Sequence, residues 1–360
     1  MDFLKQNRID EQIMEEYYTE EQEGNIFSEL SPYIIGMVFL LIVIVAIFFI
    51  SEIRAEPKPE NNFSAPPPIS GEFLADSSEE QVYFKKLNLS AEAVYVYDAL
   101  RDKVLYSKNA EVQMPLASLT KLMLALVASD VISDEEIIKI TSEDIDIEGD
   151  NGLYVNERWT FSELLDFTVI TSSNDAASAI ASAAVEDLRG NDEGYARAEG
   201  LATTSTDRTE RFIQMMNQKA KDLNLGNTFF VNETGLDTSD SVSGGYGSAV
   251  NVAHLMEHII ENKPDLIDAT THKKLKLFSN IRQHTAINTN KIIDKLPGVI
   301  ASKTGYTDLA GGNLAVAFDA GLAHPVIAVV LNSTFDGRFT DMEKIVETVL
   351  RSKKLHSNDN

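Results

Sequence analysis

Hydrophobic and polar positions change their spacing several times along the chain. From 33 to 50 an uncharged run, YIIGMVFLLIVIVAIFFI, carries no polar break. Eighteen helical residues reach roughly 27 Å, close to the hydrocarbon thickness of a bilayer, so the run predicts one retained membrane-spanning helix. A core helix seldom lacks a polar position for five turns. A cleaved signal peptide has a shorter apolar stretch nearer the start, followed by a small-x-small site, which is missing here. Further on, 93–99 and 103–108 alternate around Leu100-Arg101-Asp102 and predict an antiparallel hairpin. Positions 118–129 carry Leu119, Leu122, Met123 and Leu126 at helical spacing. Helical patterns recur at 161–170, 176–185, 210–223 and 249–261. Three short β-branched or apolar runs follow at 298–304, 313–318 and 326–331, then a last helix over 338–351. Strands, many helices, strands again and a closing helix predict an α/β (α+β) domain. One antiparallel sheet is completed by both chain ends, flanked by helices, with a helical lobe inserted in the middle.

Composition divides the 360 residues further. Residues 1–30 hold nine Asp/Glu against Lys5 and Arg8, an acidic tail with too little apolar surface to fold alone. Residues 51–80 contain Pro57, Pro59, Pro66, Pro67 and Pro68, a semi-rigid extended spacer. The globular pattern runs over 82–352 and leaves a polar tail at 353–360. Residues 186–208, rich in Gly and charge, read as a mobile surface loop. The net charge of −25 argues against a nucleic-acid partner, which requires a cationic surface. With no cysteine, disulfides, a thiolate nucleophile and cysteine-held metals are excluded. Charge beside the apolar run is sparse: Arg54 and Lys58 lie after it and no Lys or Arg within twenty residues before it. Taken literally, the positive-inside rule puts the large domain in the cytoplasm, but the rule is weak when charges are few and a long domain follows.

Three short signatures occur in order. Ser118-Leu119-Thr120-Lys121 opens the first long helix, Ser172-Ser173-Asn174 lies between two helical segments, and Lys303-Thr304-Gly305 ends a strand. Alone, each is weak: S-x-x-K arises about once by chance in such a chain, and K-T-G in roughly one chain in ten. As single motifs they have bland readings. Ser118 serves as an N-cap, Lys121 as a solvated helix residue, Ser172 and Asn174 as turn formers, Lys303 as a strand-end charge. The ordered trio is far rarer, and active-site-serine penicillin-recognising enzymes display it. The spacing fits such chemistry. Residues i and i+3 share a helix face, which brings the Lys121 amine to the Ser118 hydroxyl. A hydroxyl needs a base to become a nucleophile, and a lysine serves when burial and a nearby cation, here Lys303, depress its pKa.

On these residues the stretch from about 93 to 331 resembles the low-molecular-mass penicillin-binding proteins that are serine-type D-alanyl-D-alanine carboxypeptidases. VYDALRDKVLYSKNAEVQMPLASLTKLMLALV is similar to that family's opening hairpin and catalytic helix. SSNDAASAIA, MMNQKAKDLNLGNTFFVNETGLD and NTNKIIDKLPGVIASKTGYTDLAGGNLAVAF match further segments. The resemblance implies a beta-lactamase/transpeptidase-like fold. It also implies an acyl-enzyme on Ser118, hydrolysed by water, that trims the terminal D-alanine from peptidoglycan stem peptides, with beta-lactams acylating the same serine. Lys121 is then the base and Ser172 relays a proton between Lys121 and the leaving nitrogen. Asn174 holds the substrate amide, and Lys303, Thr304 and Gly305 form the wall that binds the terminal carboxylate. The backbone N–H groups of Ser118 and Tyr306 form the oxyanion hole. No cofactor or metal is implied. An enzyme of wall peptides faces outward, so the resemblance places 1–30 in the cytoplasm and the domain on the extracytoplasmic side, against the literal charge count. Many members add a C-terminal β-rich domain and an amphipathic anchor helix, whereas here the anchor is expected at the N-terminus.

Three other readings compete with this one. A class A beta-lactamase shares the trio but adds a glutamate for the deacylating water; Glu210, in TERFIQ, lacks that enzyme's usual surroundings. His254-Leu255-Met256-Glu257-His258 matches H-x-x-E-H by letter, yet VAHLMEHIIEN reads as an amphipathic helix with its histidines on the wetter side. A membrane-tethered wall-binding protein with dead chemistry conflicts with the intact serine, both lysines and Asn174.

Overall fold

Six antiparallel strands form the main sheet: β1 Glu72–Phe73, β2 Ala93–Asp98, β3 Lys103–Lys108, β4 Val299–Thr307, β5 Gly311–Asp319 and β6 Pro325–Ser333, in the order β1-β3-β2-β6-β5-β4. The computed structural model describes residues 72–73, 84, 86–149, 152–190, 205–321 and 323–358, all within the unit Pro67–Asn360. The acidic tail, the apolar run 33–50 and most of the proline-rich segment lie outside the described residues. Among the described residues no helix is long and apolar enough to cross a membrane.

The period-2 patterning of the central strands explains the layers. Ala93, Tyr95 and Tyr97 of β2, Ala315 and Ala317 of β5, and Ile327, Val329 and Leu331 of β6 face one core. Val94 and Val96, Leu314, Val316 and Phe318, and Val326, Ala328 and Val330 face the other. Successive strand residues point to opposite faces, so each central strand feeds both cores and is apolar at most positions, with Asp98 and Asn313 buried near strand ends. The second core is closed by α6, Gly337–Asn358, through Phe339, Met342, Ile345, Val346 and Val349.

The first core is covered by the inserted lobe: α1 Thr120–Ala128, α2 Phe161–Thr171, α3 Asn174–Gly190, α4 Ser205–Asp222 and α5 Ala249–Asn262. All nine residues of α1 are buried, not only its predicted stripe, because it packs against α2, α3, α4 and α5. A helix apolar all round belongs in such a position. Its polar residues, Thr120 and Lys121, are therefore buried with it.

The structure departs from the sequence reading at several boundaries. Glu72–Phe73, inside the segment read as an extended spacer, adds a strand to the edge at β3, with Glu72 opposite Lys108. Both ends of the expected loop 186–208 are helical, because α3 runs on to Gly190 and α4 begins at Ser205. The stretch read as a polar tail continues α6 as far as Asn358. The hairpin Lys274–Phe278 with Gln283–Ile287 has no counterpart in the sequence pattern. Its polar residues alternate with only a few apolar ones, a weak strand signal. Glu157, wholly buried, anchors it by accepting from His284 Nε2 at 2.9 Å.

Candidate active site

Ser118 sits in a single 3₁₀ turn, Ala117–Leu119, that leads into α1. Ala117, just before it, holds φ +48, a left-handed conformation costly for a residue with a Cβ. Packing imposes it. Gly235, at φ +82, approaches so closely that a Cβ there would lie 2.0 Å from the Ala117 carbonyl oxygen. From the other side, a Cβ on Gly305 would come within 2.8 Å of the Leu116 carbonyl oxygen and 3.2 Å of the Ser118 amide nitrogen. Glycine in the third signature thus lets edge strand β4 run beside the Ser118 backbone.

One turn along α1, Lys121 Nζ lies 3.1 Å from Ser118 Oγ. It donates to Asn174 Oδ1 and to the Thr234 carbonyl, each at 2.7 Å. A neutral amine has two N–H bonds and one lone pair; with both hydrogens engaged, the lone pair is left to the Ser118 hydroxyl. Burial pushes the Lys121 pKa down to about 7, partly opposed by the Glu233 carboxylate. Desolvation of the charged form, more than a second cation, is therefore the leading cause.

Ser172 ends α2 at φ +63, again left-handed. Its Oγ accepts from Lys303 Nζ at 2.8 Å, so it is paired with the strand-borne lysine and not with Lys121, the proton partner expected for it. Lys303 also donates to the Thr304 carbonyl at 2.9 Å. Its pKa lies well below the usual lysine range through burial, then through the Lys121 and Arg338 charges. Asn174 donates through Nδ2 to the Glu148 carbonyl at 2.9 Å, which fixes its amide orientation. Thr304 Oγ1 is 2.6 Å from Thr289 Oγ1. Tyr306, next along β4, is exposed at the rim and meets Phe335 edge to face with ring centroids 4.9 Å apart. Ser118, Lys121, Ser172, Asn174, Lys303, Thr304, Gly305 and Tyr306, some 190 residues apart at the extremes, are thereby gathered at one junction of lobe and sheet.

Three residues at this junction were missed. Arg338, in the first turn of α6, is buried and donates through Nη1 to the Gly305 carbonyl; burial lowers its pKa to about 10. Asp237 accepts from Thr307 Oγ1 at 3.0 Å and from the Leu309 amide at 3.1 Å, tying the turn that holds Lys121 to the end of β4. Glu233 is buried in that same turn. None belongs to a short motif, and only the fold brings them in. Elsewhere, the histidines of H-x-x-E-H have local partners. His254 lies edge to face with Tyr97, centroids 5.7 Å apart, with Nδ1 3.1 Å from Glu257.

A family model described as D-alanyl-D-alanine carboxypeptidase matches residues 79–195 and 189–334. D-alanyl-D-alanine carboxypeptidase DacF of Bacillus subtilis (strain 168) is 30% identical over 266 residues, 71% of this chain. The chain spans 60% of the length of that relative. Among solved structures, penicillin-binding protein D2 from Listeria monocytogenes in its cefotaxime-bound form superposes with TM-score 0.58 at 25% identity, over 73% of this chain and 98% of that one. A variant of the Streptomyces K15 DD-transpeptidase superposes with TM-score 0.64 at 24% identity, over 74% and 100%. That likeness is one of fold.

Proposed function

The chain belongs to the D-alanyl-D-alanine carboxypeptidase family, and from that premise we propose that it is a serine-type carboxypeptidase removing the terminal D-alanine of peptidoglycan stem peptides. The observation that carries the reading is the Lys121 amine, 3.1 Å from Ser118 Oγ and with a pKa brought down to about 7. Burial thus favours the free amine over the ammonium, the direction that general-base catalysis near neutral pH requires.

In this reading Lys121 takes the Ser118 proton as Oγ attacks the carbonyl carbon of the D-Ala–D-Ala bond. Charge develops on the carbonyl oxygen, where the Ser118 and Tyr306 backbone N–H groups receive it. Asn174 binds the substrate amide. Lys303, Thr304 and Gly305 bind the terminal carboxylate, with Arg338 adding positive potential behind them. The proton taken up by Lys121 passes by way of the Ser172 hydroxyl, held by the hydrogen bond from Lys303, to the leaving nitrogen, which restores Lys121 as the free base. Loss of D-alanine leaves an ester on Ser118, and water, activated by the same lysine, hydrolyses it. Beta-lactams, whose ring carbonyl presents the same geometry, acylate Ser118 too. The cefotaxime-bound neighbour of like fold supports this.

The run 33–50 serves as a single membrane anchor, with 1–30 in the cytoplasm and the enzyme on the extracytoplasmic side. Supporting this are its eighteen uncharged residues and the location of wall peptides. Two experiments test the activity. Fluorescent penicillin is expected to label the wild type and not Ser118→Ala, and a muramyl pentapeptide is expected to lose a single alanine by mass spectrometry. An unlabelled wild type, or an intact pentapeptide, refutes the reading.

A further inference from the structure

One side chain outside the three signatures touches the carboxylate-binding wall directly. Thr289 Oγ1 lies 2.6 Å from the Oγ1 of buried Thr304. Among the described residues, neither hydroxyl has a second hydrogen-bond partner. The turn that carries Thr289 is firmly set. The Thr289 amide donates to the Ile170 carbonyl at 3.1 Å, just before the end of α2 that aims Ser172. Asn288 Nδ2 donates to the Thr270 carbonyl at 2.8 Å and to the His272 carbonyl at 2.9 Å. Its Oδ1 accepts from the Asn290 amide at 2.8 Å. Thr270 in turn bonds to β4, its Oγ1 accepting from the Ser302 amide at 3.0 Å. Hydrogen bonds thus hold Thr289 both to α2 and, through Thr270, to the strand that carries Thr304.

A threonine hydroxyl has one hydrogen and two lone pairs. At this separation one hydroxyl of the pair donates to the other. If Thr304 were the donor, it would turn a lone pair toward an incoming carboxylate and repel it. With Thr289 as donor, the Thr304 hydrogen is free for the carboxylate, and a hydroxyl that accepts one hydrogen bond donates the next more strongly. We propose, resting on the reading that Thr304 binds the substrate's terminal carboxylate, that Thr289 is a positioning residue: its hydroxyl donates to Thr304 Oγ1 and turns the Thr304 hydrogen toward the substrate. A relay of hydrogen bonds then runs from Thr289 through Thr304 to the carboxylate. Lys303 does not disturb it, because its Nζ donates to Ser172 Oγ and to the Thr304 carbonyl, not to the Thr304 hydroxyl.

The test is a double-mutant cycle on the full chain in detergent. It is read by kcat/KM on a muramyl pentapeptide and by the second-order rate of acylation by fluorescent penicillin, each of which carries a carboxylate. Thr289→Val removes the hydroxyl at nearly constant shape, and Thr289→Ser keeps it. Thermal unfolding establishes that each variant is folded, and Thr289→Ala replaces the valine variant if that one is not. Loss of the hydroxyl is expected to lower both rates about tenfold, while Thr289→Ser stays within about twofold of wild type. In a Thr304→Val background the same change is expected to add no further loss, because the hydroxyl it acts through is gone. Wild-type rates in a folded variant without the Thr289 hydroxyl overturn the proposal. So does a serine variant as slow as the valine one, since shape and not the hydroxyl would then be at work. A second loss of the same size in the double variant also overturns it, by making Thr289 independent of Thr304. A wild type that neither labels nor cleaves, or a Thr304→Val variant with wild-type rates, refutes instead the underlying reading of the site.

Discussion

Lys121 illustrates how one buried side chain links chemistry to stability. In the unfolded chain its amine titrates near 10.4; in the folded protein burial brings it to about 7. Between these values the unfolded state binds the extra proton, so folding becomes more favourable as pH rises through that window, and the contribution is flat below about pH 7. Measured by urea unfolding, wild type is expected to gain stability relative to Lys121→Met from pH 7 toward 10, with a constant difference at pH 5–6. A difference that shrank over that range would contradict the buried-amine account. The two left-handed residues, Ala117 and Ser172, make the same point through the backbone. Each costs roughly 1 kcal/mol or more, and each is held where Ser118 or the Ser172 hydroxyl must be aimed.

Among the elements, the decisive contact is between the 231–237 turn and the start of α1. Gly235→Ala puts a methyl 2.0 Å from a backbone oxygen, in a conformation already unfavourable to alanine. It is expected to cost about 2–4 kcal/mol and to reduce acylation about 100-fold by displacing Ser118 from Lys121. Gly226→Ala meets nothing within 4 Å and is expected to stay within about 0.5 kcal/mol of wild type. Thermal unfolding and labelling rates measured together distinguish the two; equal effects would mean that the close approach is not what sets the site. Element existence was readable at this scale because period 2 and period 3.6 persist through 93–108 and 161–262. Boundaries were less so. α3, α4 and α6 extend past their apolar patterns, since a helix already docked continues over polar residues at little cost. The two-residue strands, such as Met114–Pro115 paired with Gly245–Gly247, leave no periodic trace.

For the whole molecule, the outstanding prediction concerns sidedness. The chain has no cysteine, so single cysteines report position cleanly. Glu135→Cys, exposed on the enzyme domain, is expected to react with a membrane-impermeant maleimide on intact cells. Gln6→Cys, in the acidic tail, is expected to react only after lysis. The reverse pattern would restore the literal charge rule and remove the enzyme from its substrate.

What the sequence by itself determined was the family and the order of the three signatures along the chain. The three-residue spacing of Ser118 and Lys121 puts both on one face of a helical turn, and the apolar residues of the central strands specify the sheet's two cores. Local geometry fixes both, so local sequence reveals both. The tertiary structure decided what depends on long-range approach. It paired Ser172 with Lys303 across 131 residues and placed Arg338 behind Gly305. It also buried Glu233 within the turn that grips Lys121. Burial, and with it the proton affinity of each lysine, is a property of what surrounds a residue, and the surroundings of Lys121 come from segments more than a hundred residues apart.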